Sequence, residues 1–128
     1  MIPKILSVDD SSLVRKAVAR VFSRFECIVI EAENGQVGLE QTAAQRPDLI
    51  ILDYNMPVMD GVEMLKHLRA DETLKKTKVI MLTANSNPET VATVAKLGVR
   101  DYVTKPFTDD QLLAKAARQV TLVPKAVE

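Results

Sequence analysis

The sequence predicts a doubly wound α/β domain, one sheet of five parallel strands with five helices spread over its two faces. Three observations carry that prediction. Short, almost wholly apolar runs recur along the chain, each run leads into a longer stretch with helical periodicity, and several runs end in residues that bear chemistry. Strands covered by helices on both faces read as continuous apolar runs, and their alternation with amphipathic segments implies right-handed βαβ crossovers.

The runs are Ile5-Leu6-Ser7-Val8, Cys27-Ile28-Val29-Ile30, Leu49-Ile50-Ile51-Leu52 and Val79-Ile80-Met81-Leu82, with a weaker fifth at Asp101-Tyr102-Val103. They are too short and too rich in β-branched residues for helices. The first helix is expected behind a Ser11 or Ser12 cap, with Val14, Ala17, Val18, Val21, Phe22 and Phe25 on one face. Lys16, Arg20 and Arg24 then line its far side as a solvated row. The second opens at Asn34-Gly35 and stops before Pro47; it is poorly amphipathic and contains Gly38. The third spans about Gly61 to Ala70 with Leu65 and Leu68 inward. The fourth starts at Asn87-Pro88, cap then proline, and ends at Gly98. The fifth begins with Thr108 as cap and Asp109-Asp110 in its first turn, where carboxylates favour the positive end of the helix dipole; Leu112, Leu113, Ala116 and Val120 face inward.

The chain has 128 residues, 47% of them hydrophobic, and 17 Lys+Arg against 17 Asp+Glu. That is enough for one core and excludes disorder, which needs low hydrophobicity or a strong net charge. The expected division is one domain over residues 1–122 and a short tail over 123–128. Zero net charge argues against nucleic acid as a direct partner, although a basic patch can hide in a balanced total. Cys27 has no partner for an internal disulfide, and a lone His67 cannot complete a Cys/His zinc cluster. Cys27 is expected to be a small buried hydrophobe and His67 a solvated helix residue. No signal-peptide core and no run of ~20 apolar residues is present, so a cytoplasmic location without membrane insertion is expected.

In a doubly wound sheet, ligands bind beyond the C-terminal ends of the strands. The first strand ends in Asp9-Asp10, the third in Asp53, the fourth in Thr83, and the fifth runs into Lys105-Pro106. Each alone has an ordinary explanation as a loop acid, turn former, strand residue or surface lysine. Together, three carboxylates and one lysine sum to −3 + 1 = −2, which a divalent cation neutralises. Oxygen ligands suit Mg²⁺ far better than Zn²⁺. Asp53, beside both metal and lysine, suits a nucleophile toward a phosphoryl group, with Lys105 stabilising the transferring oxygens and Thr83 donating a hydroxyl hydrogen bond.

With these residues in order, the sequence resembles the response-regulator receiver domains of two-component signalling, and among them the single-domain chemotaxis regulators. The resemblance runs from Ile5 to about Val120. It rests on Asp9-Asp10, Leu52-Asp53-Tyr54-Asn55-Met56-Pro57, Met59-Asp60-Gly61, Leu82-Thr83-Ala84 and Gly98 through Phe107. It implies a flavodoxin-like fold with strand order 2-1-3-4-5. It also implies Asp53 as phosphoacceptor, Mg²⁺ (with Mn²⁺ as substitute) held by Asp10, Asp53 and the Asn55 main-chain carbonyl, and Asp9 acting through a bound water. Lys105 and Thr83 would bind the phosphoryl group, the Lys105–Pro106 bond would be cis, and Asn55 and Asn85 would tune phosphoryl lifetime.

Tyr102 resembles the family's switch aromatic, turning inward when Thr83 moves; otherwise it is a half-buried strand tyrosine. The face that would change is framed by Glu89, Thr93, Lys96, Arg100, Lys115 and Gln119. The implied partners are a histidine kinase or histidine phosphotransfer protein and a downstream protein target, with the chain a monomer or a weak phosphorylation-dependent dimer. The chain is expected to be a signalling protein, not an enzyme, that assists its own phosphorylation and dephosphorylation. Gly38 and Val99 depart from the family's common residues, and neither lies among the strand-end residues. A phosphoryl shuttle or sink in a relay would use the same chemistry. A Mg²⁺-dependent phosphohydrolase would need a second aspartate where Asn55 stands. A flavodoxin-type cofactor loop is disfavoured because Asp9-Asp10 would repel its phosphate.

Overall fold

A computed structural model describes residues 2–84 and 87–126. The strands are β1 (Lys4–Val8), β2 (Ile28–Ala32), β3 (Leu49–Asp53), β4 (Lys78–Thr83) and β5 (Asp101–Thr104). The helices are α1 (Ser12–Phe22), α2 (Gly35–Gln45), α3 (Gly61–Ala70), α4 (Pro88–Lys96) and α5 (Asp109–Gln119). All strand pairs are parallel, as the apolar runs predict, in the order β2-β1-β3-β4-β5 that the resemblance implies.

Alternation along the strands divides the core in two. Leu6, Val8, Ile50, Leu52 and Met81 face one way, onto Met64, Leu65 and Leu68 of α3 and Val94 of α4. Ile5, Leu49, Ile51, Ile80 and Leu82 face the other, onto Val18, Val21 and Phe22 of α1 and Leu112 and Ala116 of α5. Every residue of β3 is buried, which accounts for its unbroken apolar run.

Helix entrances follow the capping rule. Side chains of Ser11, Asn34, Asp60, Asn87 and Thr108 each accept a backbone N–H three residues on, and Thr108 with Gln111 completes a capping box. Ser11, rather than Ser12, caps α1. The weak amphipathy of α2 has a geometric cause. Its buried residues are Gly35, Gly38 and Thr42, and a Cβ at Gly38 would lie 2.8 Å from the Met64 sulfur, so α2 approaches α3 through small residues.

Three boundaries differ from the periodicity. β2 starts at Ile28, leaving Cys27 half-buried just before it with its thiol donating to the Phe22 carbonyl at 3.4 Å. α1 stops at Phe22, and Phe25 instead forms an antiparallel bridge with Pro124. Val120 lies beyond α5 as its C-cap. The chain after α5 turns back along the loop before β2: Glu26 N–H donates to Val123 O at 2.7 Å and Lys125 N–H to Arg24 O at 2.8 Å, with Leu122 against the second core. No helix among the described residues is long and apolar enough to cross a membrane.

The loop from β3 to α3 contains one strained residue. Val58 has φ 70°, and Met59 N–H donates to Pro57 O at 2.8 Å, which closes a γ-turn of the unfavourable hand. Val58 is also 79% exposed, so its side chain gains little from packing. Such strain costs about 1–3 kcal/mol, against about 0.5–1 kcal/mol of added chain entropy for glycine. Val58→Gly is therefore expected to raise the unfolding free energy by about 1 kcal/mol in a urea titration. A loss of that size would contradict the strain assignment.

Candidate metal centre at the strand ends

Parallel register brings the chemistry-bearing residues to one edge. Val8 is level with Leu52, and Asp53 with Leu82, so Asp9 and Asp53 emerge side by side with Thr83 adjacent. Thr83 is level with Thr104, which places Lys105 one step past β5; its N–H donates to Thr83 O at 2.8 Å, and its bond to Pro106 is cis. The Lys105 ammonium lies 2.9 Å from Asp9 Oδ2 and 2.9 Å from Asp53 Oδ1. Asp9 is 1% exposed and Asp53 5%. Asp10 is exposed and, among the described residues, has no hydrogen-bond or ion-pair partner.

One oxygen from each of Asp9, Asp10 and Asp53 lies within 4.8 Å of the other two. The donor set fits Mg²⁺: three carboxylates, no sulfur or imidazole, and one flank open to water at Asp10. Burial is the main force on Asp53 and pushes its carboxyl up to about 6; repulsion from Asp9 adds to the rise, while Lys105 and the Asn55 N–H oppose it. Burial alone would lower the Lys105 ammonium, but its pairs with Asp9 and Asp53 prevail and hold it above its ordinary value.

Thr83 is buried and Tyr102 half-buried. Met81 is level with Tyr102, and both pack on the α3–α4 side of the sheet. Thr83, two residues beyond Met81, shares that face by alternation. Asn55 is exposed, and Asn85 lies outside the described residues. His67 is exposed on α3. Of the expected outer face, Glu89, Lys96 and Arg100 are exposed and Thr93 donates to the Glu89 carbonyl. Gln119 and Lys115 turn inward instead, toward Asp101.

Four supports went unread in the sequence. Arg15 donates to the Asp9 carbonyl at 2.6 Å while pairing with Glu31 at 3.0 Å, and Ser11 N–H donates to Asp9 Oδ1 at 2.9 Å. Gly61 lies so near β3 that a Cβ there would stand 2.3 Å from the Asp53 carbonyl oxygen. Asp101, 2% exposed, is held by Gln119, Arg118 and Lys115 of α5. No motif marks Arg15; Gly61 and Asp101 fall within the segments that carry the family resemblance, but nothing in those segments announces the contacts they make.

The raised carboxyl of Asp53 has a direct consequence for stability. A folded value near 6 against an unfolded value of 3.8 means that the folded state binds the proton more tightly. Stability therefore falls as pH rises from about 4 to about 6 and stays reduced above. Asp53→Asn removes that charge. In metal-free buffer at pH 8 it is expected to raise Tm by about 4 °C, as for ~1 kcal/mol in a chain of this length, with the gain vanishing near pH 4. A variant less stable at pH 8 would contradict the electrostatic account.

A family model described as the response regulator receiver domain matches residues 5–117. The chain is 39% identical over 114 residues to the chemotaxis protein CheY1 of Helicobacter pylori, covering 88% of this chain and 92% of that protein. It is 35% identical over 120 residues to hybrid signal transduction histidine kinase D of Dictyostelium discoideum, covering 94% of this chain and 8% of that kinase. The solved structure of Vibrio cholerae CheY4 superposes with a TM-score of 0.88 at 33% identity, over 94% of this chain and 100% of that one.

Proposed function

The chain belongs to the response-regulator receiver domains of two-component signalling, and on that premise we propose that Asp53 accepts a phosphoryl group whose added charge is read on the face made by α4, β5 and α5. The observation that carries the reading is the single ammonium of Lys105 shared by two nearly buried carboxylates.

The phosphodonor is a phosphohistidine on a histidine kinase or phosphotransfer protein. With its carboxyl near 6, Asp53 is mostly ionised at neutral pH and attacks as the carboxylate. Its oxygen forms a bond to phosphorus as the P–N bond of the donor breaks, the histidine nitrogen keeping the electron pair. Mg²⁺, when bound, supplies the countercharge for the phosphoryl oxygens; Asp10, Asp53 and the Asn55 carbonyl would hold it, and Asp9 would act through water. Lys105 pairs with the new phosphoryl oxygens, leaving its shared position between the two carboxylates. Beside Lys105, an apolar groove of about 400 Å³ lined by Leu13, Ala17, Pro106 and Phe107 gives the donor a surface to rest on.

Phosphorylation adds about one negative charge. Thr83 can turn its hydroxyl to the phosphoryl oxygens, and in doing so it vacates space on the sheet face it shares with Tyr102. The tyrosine then turns inward and alters the surface framed by Glu89, Thr93, Lys96 and Arg100. Two arrangements of similar energy, biased by a local charge, are all such a switch requires.

Incubation with Mg²⁺ and acetyl phosphate is expected to add the mass of one phosphoryl group in intact-mass spectrometry. Asp53→Ala should show no adduct, and Lys105→Ala should impair the switch while His67→Ala behaves as wild type. No adduct on the wild-type chain, or an unchanged adduct in Asp53→Ala, would refute the assignment.

A further inference from the structure

The opposite edge of the sheet carries a second charged feature. A cleft of about 580 Å³ opens where the loop before β4 meets the turn from α4 to β5, at the N-terminal ends of β4 and β5. Its walls hold Arg69, Lys75, Lys76, Lys78, Lys96 and Arg100 and, among the described residues, no carboxylate. Six of the chain's seventeen Lys and Arg residues thus share one concavity in a protein of zero net charge.

Three of the six are already engaged. Lys75 pairs with Glu72 at 2.8 Å, and Lys78 donates to the Gln119 carbonyl at 2.7 Å. Arg69 donates from Nε to Leu97 O at 2.7 Å, and from Nη1 to Lys75 O at 2.9 Å and Thr77 O at 2.8 Å. That last set matters for an anion. The C-terminal carbonyls of α4 carry the negative end of its dipole and would repel a negative ligand. Arg69 draws one of them, with two loop carbonyls, onto its guanidinium, and so fixes both walls of the cleft. Lys76, Lys96 and Arg100 remain without an ion-pair or hydrogen-bond partner among the described residues.

One bland account of Lys96 is that a cation in the last turn of a helix complements its dipole. It explains neither Lys76 nor Arg100, and it leaves the absence of any lining acid unexplained. Cations crowded together without acids repel one another, and the arrangement gains most from a compact ligand of high negative charge. Lysines bind such groups as point charges, while arginine adds a planar fork for paired phosphate oxygens. We propose that this cleft is a binding site for a condensed phosphate chain, either inorganic or carried on a nucleotide, at the opposite edge of the sheet from Asp53.

Calorimetric titration of the full chain in EDTA, with inorganic tripolyphosphate in one arm and ATP in the other, tests the site. Tripolyphosphate is expected to bind saturably with Kd below about 1 mM near physiological salt. Lys96→Glu with Arg100→Glu should weaken it at least about tenfold, whereas Lys16→Glu with Arg24→Glu, an equal charge change on α1 and the turn after it, should leave it within about twofold. Equal affinity in the two arms supports a site for the shared phosphate chain, and tighter binding of either probe supports the site and assigns the source. Absence of saturable binding of both probes, or equal weakening in both double variants, would overturn it. Failure here leaves the acetyl phosphate test at Asp53 untouched, so the two readings stand or fall separately.

Discussion

The shared ammonium of Lys105 is the contact on which the strand-end architecture depends. It lies 2.9 Å from an oxygen of Asp9 and 2.9 Å from an oxygen of Asp53, two carboxylates almost wholly removed from solvent. Breaking a buried charge pair by removing one partner leaves a charge with no compensation, at a cost of about 3–5 kcal/mol. The lysine can reach both acids because β5 ends level with β4 and its own N–H is tied to the Thr83 carbonyl. Asp53 is therefore contacted from just past the end of β5, three residues beyond Tyr102.

That contact does not complete the balance. Two units of negative charge remain, and burial with Asp9 repulsion holds the Asp53 carboxyl near 6. The folded chain keeps an arrangement that is less stable than a neutral one would be, which is the pattern expected where function rather than stability selects the residues. On the proposed function, a cation would relieve the excess and a phosphoryl group would restore it. The same lysine can answer both changes because its flexible stem lets the ammonium exchange partners over a short distance.

Much of this was legible beforehand. The unbroken run of β3 announced a central strand buried on both faces, and the residues ending each run marked the site, because parallel register leaves them nowhere else to go. What stayed hidden shares one cause: sequence periodicity reports the apolar stripe of an element and is silent on close approach and on pairing. Helix α2 packs through Gly38 and Thr42, so its burial left no hydrophobic signature. Phe25 continued the apolar period of α1, yet the helix ends at Phe22 and the Phe25 backbone is bridged to Pro124. Asp101 reads as the first residue of a weak strand; only the fold places Lys115, Arg118 and Gln119 of α5 around it. Gly61 opens α3 in any reading, but its approach to the Asp53 carbonyl is a tertiary fact.

The neutral total of the chain conceals two opposed poles, acids at the C-terminal ends of the strands and cations at the N-terminal ends of β4 and β5. On the proposed function the acidic pole governs the switch, through a demand for a divalent cation in competition with Lys105. Calorimetric titration of Mg²⁺ into the metal-free wild-type chain, Asp10→Asn and Lys105→Ala measures that demand most directly. One ion bound by the wild type, binding lost in Asp10→Asn and binding tightened in Lys105→Ala is the predicted result. A wild-type chain that takes up no Mg²⁺, or an affinity unchanged when Asp10 is neutralised, would contradict it.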